Sequence, residues 1–429
     1  MTFAAIACAI AVSNVAHAQP ARRAGPRAVT LAGLLRYAEQ HAPRMIVARA
    51  EAARWRTDAA AAEAPVPSDP EVQVAVGPRQ QADASDVDVS VQLRQALEIA
   101  GEPVLRGEVA ARSRERHEAE LEIVRFELHH AIHSTFHRAL IARERVRVAG
   151  RVVELSRRLV EVARRRVQAG EDSPLEAQLA ELELMRAEQL LSRAEQGYLD
   201  ARLALAELSG LPADPPPVPA GELEAPRRAP PLAAIEAIAR EHGPRLAALR
   251  AAALEARARA DLAHRDGWPQ PTVGLNYQVE GAGLGGQPRE HIVQGVIAIP
   301  LPLWHRNPTG RAEREVDLDV ARARAEVEDR LLAVRVRRYA AAVDAASERA
   351  ERYLAEVVPA FEARLEQLVR AYELGEVDLV AVSSTRALLL AGRLEALDAY
   401  QEYFDAVTAL EDAVGADVWP DRHHAGRAP

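Results

Sequence analysis

The sequence predicts a mainly α-helical protein with a small β-sheet part, built as two copies of one pattern: two strands, a long helix and a return helix. Three observations lead to this prediction. Strand pairs with period-2 alternation lie within residues 71–95 and 272–301, and each pair precedes a very long helical pattern. A turn containing glycine then interrupts that pattern at Gly170 and again at Gly375. Because the two glycines are 205 residues apart, they indicate an internal duplication.

The four strands are predicted over residues 71–77, 87–95, 272–279 and 292–301. Apolar residues alternate with polar, mostly uncharged ones, which is the pattern of barrel strands with lipid on one side and water on the other. Trp268 and Trp304 flank the second pair, where an interfacial aromatic belt would lie. The residues expected to face lipid are Val87, Val89, Val91, Val273, Leu275 and Tyr277.

Long helices are predicted over residues 103–169 and 174–208 in the first repeat, and over 311–374 and 377–413 in the second. The helix of residues 311–374 is expected to be interrupted at Pro359. The helical pattern of residues 31–63 precedes the first strand pair. At ~1.5 Å per residue, the first long helix would extend about 100 Å. Such a helix does not fit inside a compact domain, so we expect an elongated molecule.

The remaining segments define the domain boundaries. Residues 1–18 have an apolar run and a small-x-small site before Gln19, and are predicted to be a secretory signal peptide. Cys8 is the only cysteine, and the sequence alone leaves its lipidation open. The first repeat is assigned to 19–210, a proline-rich linker to 211–231, the second repeat to 232–415 and a disordered tail to 416–429.

The composition narrows the class of function. All 54 strongly basic residues are arginines and the net charge is −9, which argues against a nucleic-acid partner. No later stretch approaches the ~20 apolar residues of a membrane helix, so a membrane span would have to consist of strands. Four strands cannot close a barrel, and open sheet edges are not tolerated in lipid, so several chains would have to contribute to one barrel.

Two short motifs accompany this architecture: Gly-x-x-Ser-Pro-Leu-Glu-Ala at residues 170–177 and Ile-Pro-Leu-Pro-Leu-Trp-His-Arg-Asn at residues 299–307. Together with the duplicated pattern they resemble the TolC family of outer-membrane efflux ducts, over residues 31–413. The resemblance implies a homotrimer with a twelve-stranded barrel in the outer membrane and an α-helical coiled-coil tunnel in the periplasm. It also implies a periplasmic adaptor (membrane fusion) protein and an inner-membrane pump as partners. The second motif is most similar to the subgroup that exports heavy metals.

The same resemblance places the two glycine turns at the periplasmic entrance. The acids there are Glu171, Asp172, Glu176, Glu376 and Asp378. Three-fold symmetry would turn each into a ring of three that favours cations. The alternative is that they are first-turn acids that complement helix dipoles. Relatives with an aspartate gate have acids six and nine residues after the second glycine, where this chain has Ala381 and Ser384.

His129, His133 and His137 follow one another at intervals of four on a helix. Imidazoles at this spacing can converge on a borderline cation, which makes them candidates for transient metal contacts. The alternative is a polar stripe at a helix–helix or tunnel surface, flanking the buried stripe of Leu128, Ile132 and Phe136.

No catalytic constellation, phosphate loop or cofactor motif is recognisable, so we expect a non-enzymatic duct without a cofactor. Metal cations are the expected cargo; drugs, organic solutes or secreted protein are alternatives. A periplasmic coiled-coil adaptor or scaffold is the alternative from another class.

Overall fold

The computed structural model describes residues 28–63, 66, 68–81, 84–281, 289–303 and 306–419. The elements of the first half are β1 (Ala28–Val29), α1 (Leu31–His41), α2 (Pro43–Ala52), α3 (Trp55–Glu63), β2 (Glu71–Gln81), β3 (Ala84–Ala96), α4 (Glu102–Ala169) and α5 (Pro174–Ser209). Those of the second half are β4 (Val218–Pro219), α6 (Leu232–His242), α7 (Pro244–Arg265), β5 (Thr272–Glu280), β6 (Glu290–Ala298), α8 (Pro308–Arg352), a π-helical turn (Tyr353–Val357), α9 (Val358–Glu373) and α10 (Leu379–Val414).

The two halves repeat each other at a helix break. Ala42 and Gly243 are both extended, with ψ angles of 132° and 110°, and each precedes a proline that begins the next helix. A residue before proline is disfavoured in the α region, and proline suits the first helical position. The arginines that follow, Arg44 and Arg245, lie 3.0 and 3.9 Å from the carboxylate of Glu127. Equivalent residues of the two repeats therefore converge on one acid of α4.

Proline sets two boundaries, and one of them differs from the prediction. β6 ends at Ala298 rather than at 301 because Pro300 and Pro302 have no N–H for the ladder. The helix of residues 311–374, predicted with an interruption at Pro359, is divided by the π-helical turn just before that proline. Proline cannot donate to the carbonyl four residues earlier, and the wider turn accommodates this. The predicted helical segment of residues 31–63 is likewise three helices.

The four long strands form one antiparallel sheet in the order β2-β3-β5-β6. β3 and β5 join the two repeats, with Val91 directly opposite Tyr277. β2 and β6 are the edge strands, and in the described part of the chain each pairs on one side only.

One apolar core joins the helices of both repeats, with Leu159 of α4, Val343 of α8, and Tyr403 and Leu410 of α10 among its members. Leu34, Met45, Ile132 and Leu205 belong to a second core between α1, α2, α4 and α5. Within the described ranges, no helix is long and apolar enough to cross a membrane.

The segment predicted as a linker is fastened to both repeats. Val218–Pro219 pairs in parallel with Ala28–Val29. Arg143 of α4 donates to the Pro219 carbonyl at 3.0 Å. The backbone N–H of Arg227 donates to the Tyr403 hydroxyl at 2.8 Å. The proline-rich segment therefore follows a fixed path along the helices.

The tail predicted as disordered from residue 416 begins as ordered chain, because Val418 and Trp419 are buried against the main core. The predicted signal peptide with Cys8, the tail beyond Trp419 and Trp304 lie outside the described residues.

A buried ion pair connects the long helices of the two repeats. Arg386 of α10 has a side chain only 7% exposed, and it pairs with Glu183 of α5, which is 19% exposed. Its Nη1 also donates to the Ser156 hydroxyl of α4 at 2.7 Å. Arginine suits this place because its planar guanidinium can hydrogen-bond two partners at once.

We expect Arg386→Ala to lower the free energy of unfolding by about 2 kcal/mol, because the Glu183 carboxylate loses its buried cation and keeps only the exposed Arg186 as a partner. The control Arg330→Ala removes an exposed pair with Glu326 and should cost less than ~0.5 kcal/mol. Guanidinium unfolding followed by helical circular dichroism measures both. Equal losses in the two variants would contradict the structural role of Arg386.

Candidate functional site

The large sheet has one continuous apolar face. The register places Val74, Val91, Tyr277 and Val293 in one cross-strand row. Its side chains are open to solvent in the single chain, to 61% for Val74 and 65% for Val293. The residues predicted to face lipid, Val87, Val89, Val91, Val273, Leu275 and Tyr277, all lie on this face. An exposed apolar surface of this extent indicates contact with a membrane or another protein.

The opposite face is polar. One amide lies on each strand, and the register places Gln73 opposite Gln92, Gln92 opposite Asn276, and Asn276 opposite Gln294. Along β5 the polar-face residues from Thr272 to Gln278 are half-buried while the apolar residues between them are exposed. The polar side chains are therefore the more sheltered set on this strand.

At the far end of the long helices, two turns repeat the same local structure. Gly170 and Gly375 adopt the left-handed conformation, with φ of 75° and 73°, which glycine reaches without a steric penalty. The next helix is capped by Ser173, which accepts from Leu175 N at 3.1 Å, and by Asp378, which accepts from Ala381 N at 2.7 Å. We call the region around both turns the tip.

Arg166 links the two turns of the tip. Its guanidinium forms an ion pair with Asp172, with 2.6 Å between Nε and Oδ2. Its Nη1 donates to the Tyr372 carbonyl at 2.9 Å, and the guanidinium lies over the Tyr372 ring at 5.4 Å. The Tyr372 hydroxyl donates to the Glu176 carboxylate at 3.5 Å. Four side chains from both repeats thus form one cluster.

The electrostatics of the tip follow from burial and from neighbouring acids. Burial raises the pKa of Tyr372 to about 12, and the nearby Glu176 and Asp172 carboxylates add to the effect. Burial also raises the pKa of Glu176, with further contributions from Asp172 and Asp378. The hydrogen bond to Asp172 raises the pKa of Arg166. The cluster therefore holds two carboxylates against one permanent cation.

The five acids predicted at the entrance have different surroundings. Asp172 and Glu176 meet at the Arg166 cluster, whereas Asp378 caps α10. Glu171 and Glu376 are exposed. The sequence pattern did not identify Arg166 or Tyr372, although they lie four and three residues before the two glycines.

The predicted histidine ladder is divided by the structure. His133 and His137 are buried, with ring centroids 4.8 Å apart, and His137 stacks on Phe404 of α10 at 3.6 Å. His129 is only partly buried. His133 and His137 lie at a helix–helix surface, and they are buried because α10 covers a second side of α4.

The buried histidines face an acid of the other repeat. Nδ1 of His130 and Nδ1 of His133 lie 3.7 and 3.5 Å from one Glu411 oxygen. In the part of the chain that the structure describes, no group of three or more His, Cys, Asp or Glu side chains could hold a metal ion. These residues therefore serve as a polar contact between α4 and α10.

The first repeat matches a known family. The family model described as outer membrane efflux protein matches residues 34–211, from α1 to just beyond α5. No curated protein matches the chain significantly.

Solved structures extend the likeness to almost the whole chain. The CmeC outer membrane channel of Campylobacter jejuni is 13% identical with a TM-score of 0.70, covering 90% of this chain and 85% of that one. The outer membrane protein VceC of Vibrio cholerae is 16% identical with a TM-score of 0.68, covering 91% and 97%. The membrane channel CusC is 13% identical with a TM-score of 0.70, covering 90% and 92%. The chain therefore has the fold of outer-membrane channels, and its first repeat has the sequence pattern of outer membrane efflux proteins.

We expect the tip to open more readily as pH rises. Because the pKa of Glu176 is raised above its ordinary value of 4.5, the folded tip binds this proton more tightly than the unfolded chain does. The stabilisation is complete below pH 4.5 and is lost as pH rises through the raised pKa. The backbone amides of residues 166–176 should exchange hydrogen faster as pH rises, after correction for the intrinsic pH dependence of exchange.

Glu176→Gln should reduce that pH dependence, because the amide keeps an acceptor for Tyr372 and has no proton to lose. The control Glu188→Gln removes an exposed acid of α5 and should leave the dependence unchanged. An unaltered pH profile in Glu176→Gln would exclude Glu176 as the titrating group.

Proposed function

We propose that this protein is the outer-membrane duct of a tripartite efflux system. Its sheet lies in the outer membrane and its long helices extend into the periplasm. It works as a passive conduit and not as an enzyme. The observation that carries the proposal is the two-faced sheet, with an exposed apolar surface opposite a row of amides. The family match of the first repeat and the channel fold support it.

The duct requires more than one copy. A sheet of four strands has two edges, and unpaired backbone groups in lipid cost several kcal/mol each. Bacterial single-chain barrels begin at about eight strands, and three copies would supply twelve. We therefore propose a homotrimer in which β2 of one copy pairs with β6 of the next.

The long helices of the trimer would form the tunnel. α5 and α8 expose apolar side chains that neighbouring helices would cover. On α5 these are Leu175, Leu179, Leu182 and Met185, and on α8 they are Val316, Val320, Val327 and Leu331. Apolar residues at this spacing are typical of coiled-coil seams. Burial of these stripes between copies would stabilise a closed ring of helices.

The tip would be the periplasmic entrance, facing an adaptor protein and an inner-membrane pump. Its exposed acids, Glu171 and Glu376, would recur three times around the axis and attract cations. Heavy-metal cations are the proposed cargo because residues 299–307 resemble the heavy-metal subgroup. Drugs, organic solutes and secreted protein remain the alternative cargoes of the same duct.

An adaptor or scaffold requires no lipid-facing surface. Charged substitutions on the apolar face therefore distinguish an outer-membrane duct from an adaptor or scaffold. We expect Val89→Arg and Val91→Arg to abolish assembly in the outer membrane, because a charge on the lipid face costs ~2–4 kcal/mol near the midplane. Ser90→Arg lies between them on the polar face and should be tolerated. Native mass spectrometry of the detergent-extracted outer-membrane fraction measures the outcome.

A trimer in that fraction for the wild type and Ser90→Arg, but not for Val89→Arg or Val91→Arg, supports the duct. A monomer or dimer in the soluble periplasmic fraction that is unaffected by all three substitutions would contradict the duct and support the scaffold.

For the cargo, we expect deletion of the protein to lower cellular tolerance of zinc, cobalt or copper, as measured by growth inhibition. Tolerance should return with the wild type but not with Val91→Arg, which is expected not to assemble. Loss of tolerance to organic solutes alone would assign the duct to the drug-type cargo.

A further inference from the structure

The amide row of the sheet consists of four neutral side chains on four different strands: Gln73, Gln92, Asn276 and Gln294. Asn276 Nδ2 donates to Gln294 Oε1 at 3.3 Å. Because hydrogen-bonded strands lie ~4.8 Å apart, the row extends about 14 Å across one chain. The row therefore presents a continuous array of amides on the polar face.

The neighbouring rows of the same face add no net charge. Toward the helices lie Glu71, Arg94, Gly274 and Val296, and toward the hairpins lie Ala75, Ser90, Gln278 and Ile292. The one acid and the one base among them, Glu71 and Arg94, are directly opposite each other. Arg94 also donates to Gln73 in the amide row. Rows on one face are ~7 Å apart, so this neutral zone is about 14 Å deep.

The hairpin end of the polar face is different. Arg79 forms ion pairs with both Asp88 and Glu280. The register places Asp86 and Glu290 on the same face. Even when Arg289, which directly precedes β6, is counted with Arg79, the four carboxylates outnumber the two guanidinium groups and this end is negative. The fixed charge therefore changes from zero at the amide row to negative at the hairpin end.

We propose that the amide row makes the middle of the barrel lumen indifferent to the sign of a solute's charge, and that within the barrel a preference for cations arises at the hairpin end. This inference rests on the proposed function, which makes the polar face the lumen of a closed barrel.

An amide can serve solutes of either sign. Its carbonyl oxygen accepts from cationic donors and its NH2 group donates to anions, so neither sign is favoured. Fixed charges act over a Debye length of only ~8 Å at physiological ionic strength, so the hairpin end hardly reaches the row. Because barrel strands are tilted, the three rows of a trimer would follow an oblique course around the lumen.

Single cysteines test the inference in the full chain with Cys8 replaced by serine. Gln92→Cys and Gln294→Cys place a thiol in the row on two different strands. Val91→Cys is the matched control on the apolar face, and Gly77→Cys lies directly opposite Asp88 at the hairpin end. The proteins are embedded in lipid vesicles, and the reagents are supplied on both sides of the vesicle membrane. Thiol modification is timed with a cationic and an anionic methanethiosulfonate, each normalised to a free thiol.

We expect Gln92→Cys and Gln294→Cys to react with the two reagents at normalised rates within about 1.5-fold of each other. One uncompensated unit charge ~7 Å away would separate the two rates by about twofold at the dielectric of water and a Debye length of ~8 Å. Gly77→Cys should favour the cationic reagent by at least that factor, and Val91→Cys should be protected by lipid. Adding Asn276→Asp to Gln92→Cys should shift its ratio toward the cationic reagent, which verifies the sensitivity of the measurement.

The outcomes separate the inference from the function on which it rests. If both row cysteines react but differ between reagents by more than about 1.5-fold, or Gly77→Cys shows no cationic preference, the inference is overturned and the barrel stands. If both row cysteines are inert, or Val91→Cys reacts as fast as they do, the polar face is not a lumen and the proposed duct is overturned as well.

Discussion

The rest of the structure depends on one constraint, which is the set of backbone hydrogen bonds that the edge strands of the sheet cannot make within the described chain. Its helices satisfy their backbone groups internally, but β2 and β6 each leave one row of N–H and C=O groups without a strand partner in the described chain. The apolar face adds a second requirement, since it needs a cover other than water. Pairing between copies would satisfy the edges and lipid would cover the face. The contacts between copies would then fix the positions of the long helices.

The fold was largely predictable because two signals are local. Alternation identifies the face of each strand residue, and β3 and β5 could be located from Val87–Leu93 and Val273–Val279 alone. The turns were predictable because Gly170 and Gly375 each follow a long helical pattern. The paired residues of β3 and β5, in contrast, are 176 to 190 residues apart in sequence. No local sequence pattern predicts pairing between strands so far apart in the chain.

The candidate site was predictable only in part, for the same reason. Acids at the tip were visible in the turn sequences, but Arg166 and Tyr372 are 206 residues apart and meet only through the packing of the two repeats. The histidines were assigned to the flank of one stripe, whereas His133 and His137 are buried because α10 covers α4 on a second side. A sequence pattern shows the face of a helix, but the number of neighbours that cover the helix depends on the tertiary structure.

The π-helical turn at Tyr353–Val357 shifts the phase of the second repeat. An α-helix advances ~100° per residue, so one additional residue in a turn rotates everything beyond it by about that angle. Val336 and Val343 of α8 lie before the turn, and Phe361 and Tyr372 of α9 lie after it; all four belong to the same core. The parts of this helix before and after the π-helical turn can therefore present different sides to their surroundings although the helix is continuous. A rotation of this helix about its axis would turn both parts together, each against its own set of neighbours.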